Sequence, residues 1–328
     1  MKMFYLLKKF SVIFLAITLI GCGLGEESLS ETEESLPEIE ETRKELNILA
    51  TTPMLGEFVK QVASDNIDVQ ILMPYSANPH NFDPSPQDVK KISEADLVFH
   101  VGIKYESTAL IKLLENTVTS EQVLIEIGPK VNPIEFKDDH DDEGKHDDHD
   151  GHDHGVFDPH FWFDPDRVAL AINEIKKELI KIDPENRSSY ESSANNYIQE
   201  LKALDGEITS LIQSIPSNNR NIVTTHESLG YLENRYGIKV LSTIIPSFTT
   251  EDGSTPKQLV SVIEKIKDNQ IKAIFIESES PTKAAEIIAE ETNASLVTGL
   301  WVETLKENQS YIDFMKSNVS IIVENLKN

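Results

Sequence analysis

The sequence predicts an α/β protein of two similar parallel-sheet lobes, each of the (βα)4 type, joined by a long rigid helix. Three observations support this prediction: short apolar runs alternate with amphipathic segments, the alternation occurs twice, and one long helical pattern separates the two series. Strands that alternate with helices are typical of a parallel sheet covered by helices.

The N-terminal lobe is predicted over residues 46–182. Helical segments such as 53–63 and 108–115 separate its apolar runs, and Asp164-Pro165 predicts the start of a further helix that extends to about Ile182. Asp caps helix N-termini, and Pro suits the first helical position. The predicted strands are 47–52, 69–73, 96–101 and 123–127.

The linking helix is predicted over residues 183–215. Asp183-Pro184 opens it, apolar residues then recur every three or four positions, and Pro216 ends it. About 30 residues at 1.5 Å each give roughly 45 Å, which is enough to cross two lobes.

The C-terminal lobe is predicted over residues 216–328, where the alternation restarts. Helices include 256–267 and 281–291. The predicted strands are 221–225, 239–241, 271–276 and 295–298.

The N-terminus has the features of an export signal. Basic residues flank an apolar run over 10–20, which is too short to span a membrane. Leu19-Ile20-Gly21-Cys22 resembles the lipobox of bacterial lipoproteins, which implies cleavage of a signal peptide (1–21) and acylation of Cys22. The alternatives are an uncleaved anchor or a buried thiol. Because Cys22 is the only cysteine, disulfides and thiolate metal sites are excluded in the mature chain.

Two acidic tracts account for much of the formal net charge of −26. Residues 26–45 carry a net charge of −7 and residues 137–158 carry −8, which leaves −11 for the rest. We interpret 22–45 as a flexible tether and 137–155 as a disordered His/Asp-rich loop. An acidic body argues against nucleic acid as a partner.

Histidines and carboxylates lie near the ends of several predicted strands. In open α/β sheets, ligands bind beyond the carboxyl ends of the strands. Imidazole and carboxylate groups suit Zn²⁺ and its first-row neighbours. A single histidine is more often structural, so the prediction of a metal site depends on the shared position of the set. The candidates are His80, His160, His226, Glu277 and Glu303.

Several spaced motifs follow one another along the chain: Asn78-Pro79-His80, Asp83-Pro84-Ser85-Pro86, Asp158-Pro159-His160-Phe161-Trp162, His226 with Leu229-Gly230-Tyr231 and Arg235-Tyr236-Gly237, and Ile274-Phe275-Ile276-Glu277. In these motifs the chain from residue 46 onward resembles a known family, the lipoproteins that serve as metal receptors of zinc and manganese ABC transporters, the ZnuA, TroA and PsaA group. The resemblance implies two lobes bridged by a rigid helix, with a metal ion held between them.

The resemblance implies that the first three metal ligands are His80, His160 and His226. The family usually has an aspartate as the fourth ligand, where this chain has Glu303, one methylene longer. Water is the alternative in that position. We interpret Glu277 as a reserve ligand or, preferably, as a partner that orients a histidine.

The ligand set favours Zn²⁺ over Mn²⁺, because manganese receptors of the group often have a carboxylate where this chain has His226. Manganese remains the alternative. The His/Asp-rich loop supports zinc as an accessory metal-scavenging segment, although a solvated spacer is the alternative. Its histidines are His140, His146, His149, His152 and His154.

The resemblance implies a lipid-anchored, extracytoplasmic and monomeric receptor, not an enzyme, whose partners are a permease and its ATPase. A secreted zinc hydrolase is the rival from another class. It would need an open coordination position and a general base, as in His-Glu-x-x-His, and His226-Glu227 lacks the second histidine. An adhesive or chaperone role is a third alternative. Metal affinity is expected to fall as pH drops toward the histidine pKa.

Overall fold

Two parallel four-stranded sheets organise the chain. A computed structural model describes residues 46–63, 67–75, 77–120, 122–135, 157–250, 253–279 and 283–327. Within them, helices cover the faces of both sheets, and the fold class predicted from the sequence is confirmed. The signal peptide, Cys22, the tether and the loop histidines lie outside the described residues.

The N-terminal sheet has the strand order β2-β1-β3-β4, and all its pairings are parallel. All four predicted strands are present in shortened form. The strands are β1 (Ile48–Ala50), β2 (Val69–Ile71), β3 (Leu97–His100) and β4 (Val123–Glu126). The helices that precede the linking helix are α1 (Pro53–Ala63), α2 (Pro86–Glu94), α3 (Thr108–Thr117) and α4 (Pro165–Ile182).

The C-terminal sheet repeats this topology with the order β6-β5-β7-β8. β6 is four residues longer than predicted, because polar Thr243 stays in the strand and its hydroxyl donates to Glu227 at 2.8 Å. The strands are β5 (Asn221–His226), β6 (Lys239–Ile245), β7 (Ala273–Glu277) and β8 (Ser295–Leu300). The helices are α6 (Gly230–Tyr236), α7 (Pro256–Asp268), α8 (Lys283–Thr292) and α9 (Tyr311–Leu326).

The linking helix α5 (Arg187–Gln213) is slightly shorter than predicted. Pro184–Asn186 forms a 3₁₀ turn, because the Asp183 carboxylate accepts hydrogen bonds from the Asn186 amide and the Tyr190 hydroxyl. At 1.5 Å per residue the helix still spans about 40 Å. It packs on α1, α4 and α9, so it contacts both halves of the fold.

One apolar core runs beneath both sheets. Alternate residues of a strand point to opposite faces, so Ile48 and Ala50 join this shared core while Leu49 joins a separate outer cluster. In the same way Phe275 faces the shared core and Ile274 faces an outer one. Helices α1, α4, α5 and α9 contribute to the shared core, which therefore holds the two halves together along one side.

The His/Asp-rich loop is expected to be dispensable for folding. Its ends are already joined, because Glu135 and Phe157 form an antiparallel bridge. Deleting 137–155 and closing the gap with a short glycine linker should therefore keep the unfolding midpoint within about 2 °C, equivalent to less than about 1 kcal/mol. Thermal denaturation followed by circular dichroism measures this, and a large loss of stability would contradict it.

Candidate metal centre

Four of the five candidate residues converge between the two sheets. His80 lies in a 3₁₀ turn after β2, His160 in the turn before α4, His226 at the end of β5 and Glu303 after β8. Their nitrogen and oxygen atoms lie within 4.8 Å of one another. The fifth candidate, Glu277, is at the end of β7 and lies outside this group.

The Glu303 carboxylate is the centre of the group. Its Oε1 is 3.3 Å from His80 Nε2 and 2.8 Å from His226 Nε2, and its Oε2 is 3.5 Å from His160 Nε2. All four side chains are fully buried. The arrangement is therefore a closed, polar pocket inside the protein.

The polar atoms of this group have no hydrogen-bond partners outside the group among the described residues. His80 Nε2, His160 Nε2, His226 Nε2 and both oxygens of Glu303 are buried and face only one another. Buried polar atoms are normally paired, so five such atoms facing one point require an explanation. Three imidazoles and one carboxylate are the donor set that zinc and related ions take.

His80 is held by its own loop and by the segment after β3. Its backbone N–H donates to Asn78 Oδ1 at 3.0 Å, and its Nδ1 lies 2.9 Å from the Tyr105 carbonyl oxygen. Because a carbonyl oxygen only accepts, Nδ1 must carry a proton. In the neutral imidazole the lone pair is then on Nε2, which faces the group.

Carboxylates orient the other two histidines in the same way. Asp158 Oδ1 accepts from the His160 backbone N–H at 2.9 Å and lies 2.9 Å from His160 Nδ1. Glu277 lies against His226 Nδ1 and also accepts from the Ser228 hydroxyl at 3.0 Å. Such partners behind a histidine fix its ring and its tautomer.

The segment that carries Glu303 is fixed from both lobes. Glu279 Oε1 accepts the backbone N–H groups of Val302 and Glu303 at 3.0 and 3.1 Å. From the N-terminal half, the Tyr105 hydroxyl donates to the Glu303 carbonyl at 2.5 Å, and Trp162 Nε1 donates to the Val302 carbonyl at 2.8 Å. Trp162 is therefore both a buried core residue and a support of the Glu303 segment.

Sequence reasoning missed three supporting residues. Asp158 precedes His160 by two positions and Glu279 follows Glu277 by two, so local spacing was an available signal for both. Tyr105 gave no such signal, because its partners lie far away in the chain. His100, at the end of β3, lies outside the group of four.

Electrostatics couple the four residues. Burial alone would raise the pKa of Glu303, but His80, His160 and His226 outweigh it and hold that pKa well below its ordinary range. Burial alone would lower the pKa of His160, but Glu303 and the Asp158 hydrogen bond raise it to about 9. The pKa of His226 is raised against burial by Glu277 and Glu303. In the absence of metal, protons on His160 and His226 therefore balance the charge of the Glu303 carboxylate.

Comparison with known proteins identifies the family. Residues 48–325 match the family described as zinc-uptake complex component A, periplasmic. The manganese ABC transporter substrate-binding lipoprotein PsaA of Streptococcus anginosus is 28% identical, with 96% of this chain and 97% of the relative covered. The metal ABC transporter substrate-binding lipoprotein SsaB of Streptococcus sanguinis is 27% identical over the same shares.

Solved structures share the fold. A Mn-bound periplasmic metal binding protein from candidatus Liberibacter asiaticus has a TM-score of 0.72 and 25% identity, covering 85% of this chain and 98% of its own. The periplasmic zinc binding protein TroA from Treponema pallidum has a TM-score of 0.76 at 22% identity, covering 86% and 99%. The latter likeness supports the fold alone.

These matches confirm the family predicted from the sequence, including its lipoprotein character among the relatives. The family consists of solute receptors of ABC transporters, so the hydrolase alternative is excluded. Within the described part of the chain, no helix has the length and apolar character needed to cross a membrane. The chain belongs to the zinc-uptake complex component A family of metal ABC transporter substrate-binding proteins.

Proposed function

We propose that this chain is an extracytoplasmic zinc receptor that captures Zn²⁺ between its lobes and delivers it to the permease of an ABC transporter. The proposed ligands are His80, His160, His226 and Glu303. The observation that carries this proposal is the convergence of their buried, unpartnered nitrogen and oxygen atoms on one point.

The donor chemistry supports zinc over manganese. Zn²⁺ binds imidazole well and takes four ligands in a tetrahedral arrangement, whereas Mn²⁺ prefers carboxylate, carbonyl and water oxygens. Glu277 is occupied by His226 and Ser228, which argues against its adding a second carboxylate ligand. Manganese is the second candidate, because several relatives are named as manganese receptors.

The division of the chain gives a mechanism for capture. We assign His80 and His160 to a lobe of residues 46–182, and His226 and Glu303 to a lobe of residues 216–328, with the linking region 183–215 between them. An ion bound by all four residues ties the lobes together. The shared core beneath the sheets limits how far they separate, so release requires docking on the permease.

Export, anchoring and metal scavenging complete the proposal. Removal of residues 1–21 and acylation of Cys22 would place the receptor on the outer face of the cell membrane, with 22–45 as its tether. The histidines of residues 137–155 would raise the local zinc concentration near the site. The receptor acts as a monomer, with the permease and its ATPase as partners.

The tight site is expected to require His160 and not the loop. In the protein lacking 137–155, calorimetry should detect one tight zinc equivalent. His160→Ala removes a ligand itself, so the affinity for this zinc ion should fall by more than the roughly 10–100-fold that follows the loss of a residue hydrogen-bonded behind a ligand. His100→Ala is the matched control, because this histidine lies outside the group. Unchanged affinity in His160→Ala would refute the ligand assignment.

Zinc binding is expected to strengthen as pH rises from 6.5 toward 9. Because the pKa of His160 is raised to about 9 without metal, an incoming ion must displace a proton at neutral pH. That proton stabilises the metal-free fold fully below 6.5, and the stabilisation is lost as pH rises through about 9. Thermal denaturation at fixed free Zn²⁺ should show a zinc-induced rise in unfolding temperature that becomes larger across this pH range. A rise that does not depend on pH would contradict the assignment of His160 as a zinc ligand.

Anchoring is expected to depend on Cys22. In a bacterial host, Cys22→Ser should release the protein from the membrane fraction or leave a full-length precursor. Ser28→Cys added to this variant restores a thiol outside the lipobox, so it should not restore anchoring. Fractionation and mass spectrometry test this, and membrane association of the Cys22→Ser protein at unchanged mass would show that no acylation occurs there.

A further inference from the structure

The segment that carries Glu303 has no regular secondary structure. Residues 301–304 follow β8 and precede α9, and the backbone N–H groups of Val302, Glu303 and Thr304 make no backbone hydrogen bonds within the described residues. Without strand or helix partners, such a segment has no intrinsic reason to hold one position. The carboxylate at its centre nevertheless faces three histidines at 2.8–3.5 Å.

One side-chain oxygen supplies the missing partners. Glu279 Oε1 accepts all three N–H groups, from Val302 at 3.0 Å, Glu303 at 3.1 Å and Thr304 at 3.4 Å. Successive backbone N–H groups that converge on one acceptor form a concave nest. The backbone of Glu303 is the middle member of this nest, so Glu279 fixes the point from which the Glu303 side chain extends.

The same stretch of chain supports the other ligand of the C-terminal lobe. Glu277, two residues before Glu279, holds His226 through Nδ1 and through the backbone N–H at 3.2 Å. Both ligands of this lobe therefore depend on residues 277–279, at the end of β7. A displacement of Glu303 relative to His226 would require this support to break.

We propose that Glu279 is a positioning residue that sets the distance between the Glu303 carboxylate and the three imidazoles, and so determines zinc affinity. This inference rests on the proposed zinc function of the site. Glu303 is longer than the aspartate that the family resemblance implies, so its backbone must lie at a distance from the imidazoles that suits the longer side chain. Glu279 fixes the backbone at that distance without contacting the ion.

Variants of Glu279 separate positioning from folding. Glu279→Ala removes the shared acceptor and is expected to weaken zinc binding about 10–100-fold, the range for partners behind a ligand. Glu279→Gln retains an acceptor oxygen and should recover most of that loss. Zn²⁺ affinity is measured on the full chain by competition with a chelator. The absorption spectrum of the Co²⁺-loaded protein reports the ligand geometry, and for Glu279→Ala it should shift toward that of Glu303→Ala.

Asn318→Ala is the matched control. Asn318 anchors the same segment at Trp301 through hydrogen bonds of 3.0 and 2.6 Å, but it makes none to Glu303. Its loss should lower the unfolding temperature while leaving the Co²⁺ spectrum unchanged. If Glu279→Ala does not fold, Glu279→Asp withdraws the acceptor by one methylene and should give a smaller loss in the same direction.

The outcomes distinguish this inference from the proposed function. Failure of the unsubstituted protein to bind Zn²⁺ tightly would overturn both. If the unsubstituted protein binds Zn²⁺ tightly and Glu279→Ala has the same affinity and the same Co²⁺ spectrum, only the positioning role would be overturned. The positioning role would also be overturned if Asn318→Ala changed the spectrum as much as Glu279→Ala, because the effect would then be a general loss of order in the segment.

Discussion

The Glu303 carboxylate, buried against three imidazole nitrogens, is the interaction on which the rest of the structure depends. A buried charge is costly unless it is paired. Here the pairing is confined to the group itself, since the facing atoms have no hydrogen-bond partners outside it in the described part of the chain. The raised pKa values of His160 and His226 mean that protons on these two rings balance the charge when no ion is present, and a divalent cation would balance it better. Affinity for metal and sensitivity to pH therefore have one origin.

The fold exists to bring these four side chains to one point from separate lobes. His80, His226 and Glu303 lie at or beyond strand ends, and His160 lies in the turn before α4. Each of these candidate ligands is held from behind by Tyr105, Asp158, Glu277 or Glu279. The cross-lobe hydrogen bonds of Tyr105 and Trp162 end on the Glu303 segment. With the shared core on one side, an ion bound by all four side chains would tie the two lobes together without any chemical step.

The sequence was sufficient for the architecture, because the alternation of strands and helices depends on local patterns. It also supplied the candidate residues of the metal centre, through the family resemblance and through histidines and carboxylates near predicted strand ends, and four of these residues converge in the structure. The linking helix begins later than predicted because the Asp183 carboxylate accepts hydrogen bonds from the Asn186 amide and the Tyr190 hydroxyl. Residue spacing alone does not indicate these hydrogen bonds. The role of Tyr105 was out of reach because it depends on contacts with residues distant in the chain.

The most direct test of the account is competition between the two candidate metals for the metal-free protein. Equilibrium dialysis against equal free concentrations of Zn²⁺ and Mn²⁺, followed by elemental analysis, measures which ion the site retains. The account predicts one equivalent of zinc and almost no manganese, in the protein with or without residues 137–155. Retention of manganese in preference to zinc would contradict it.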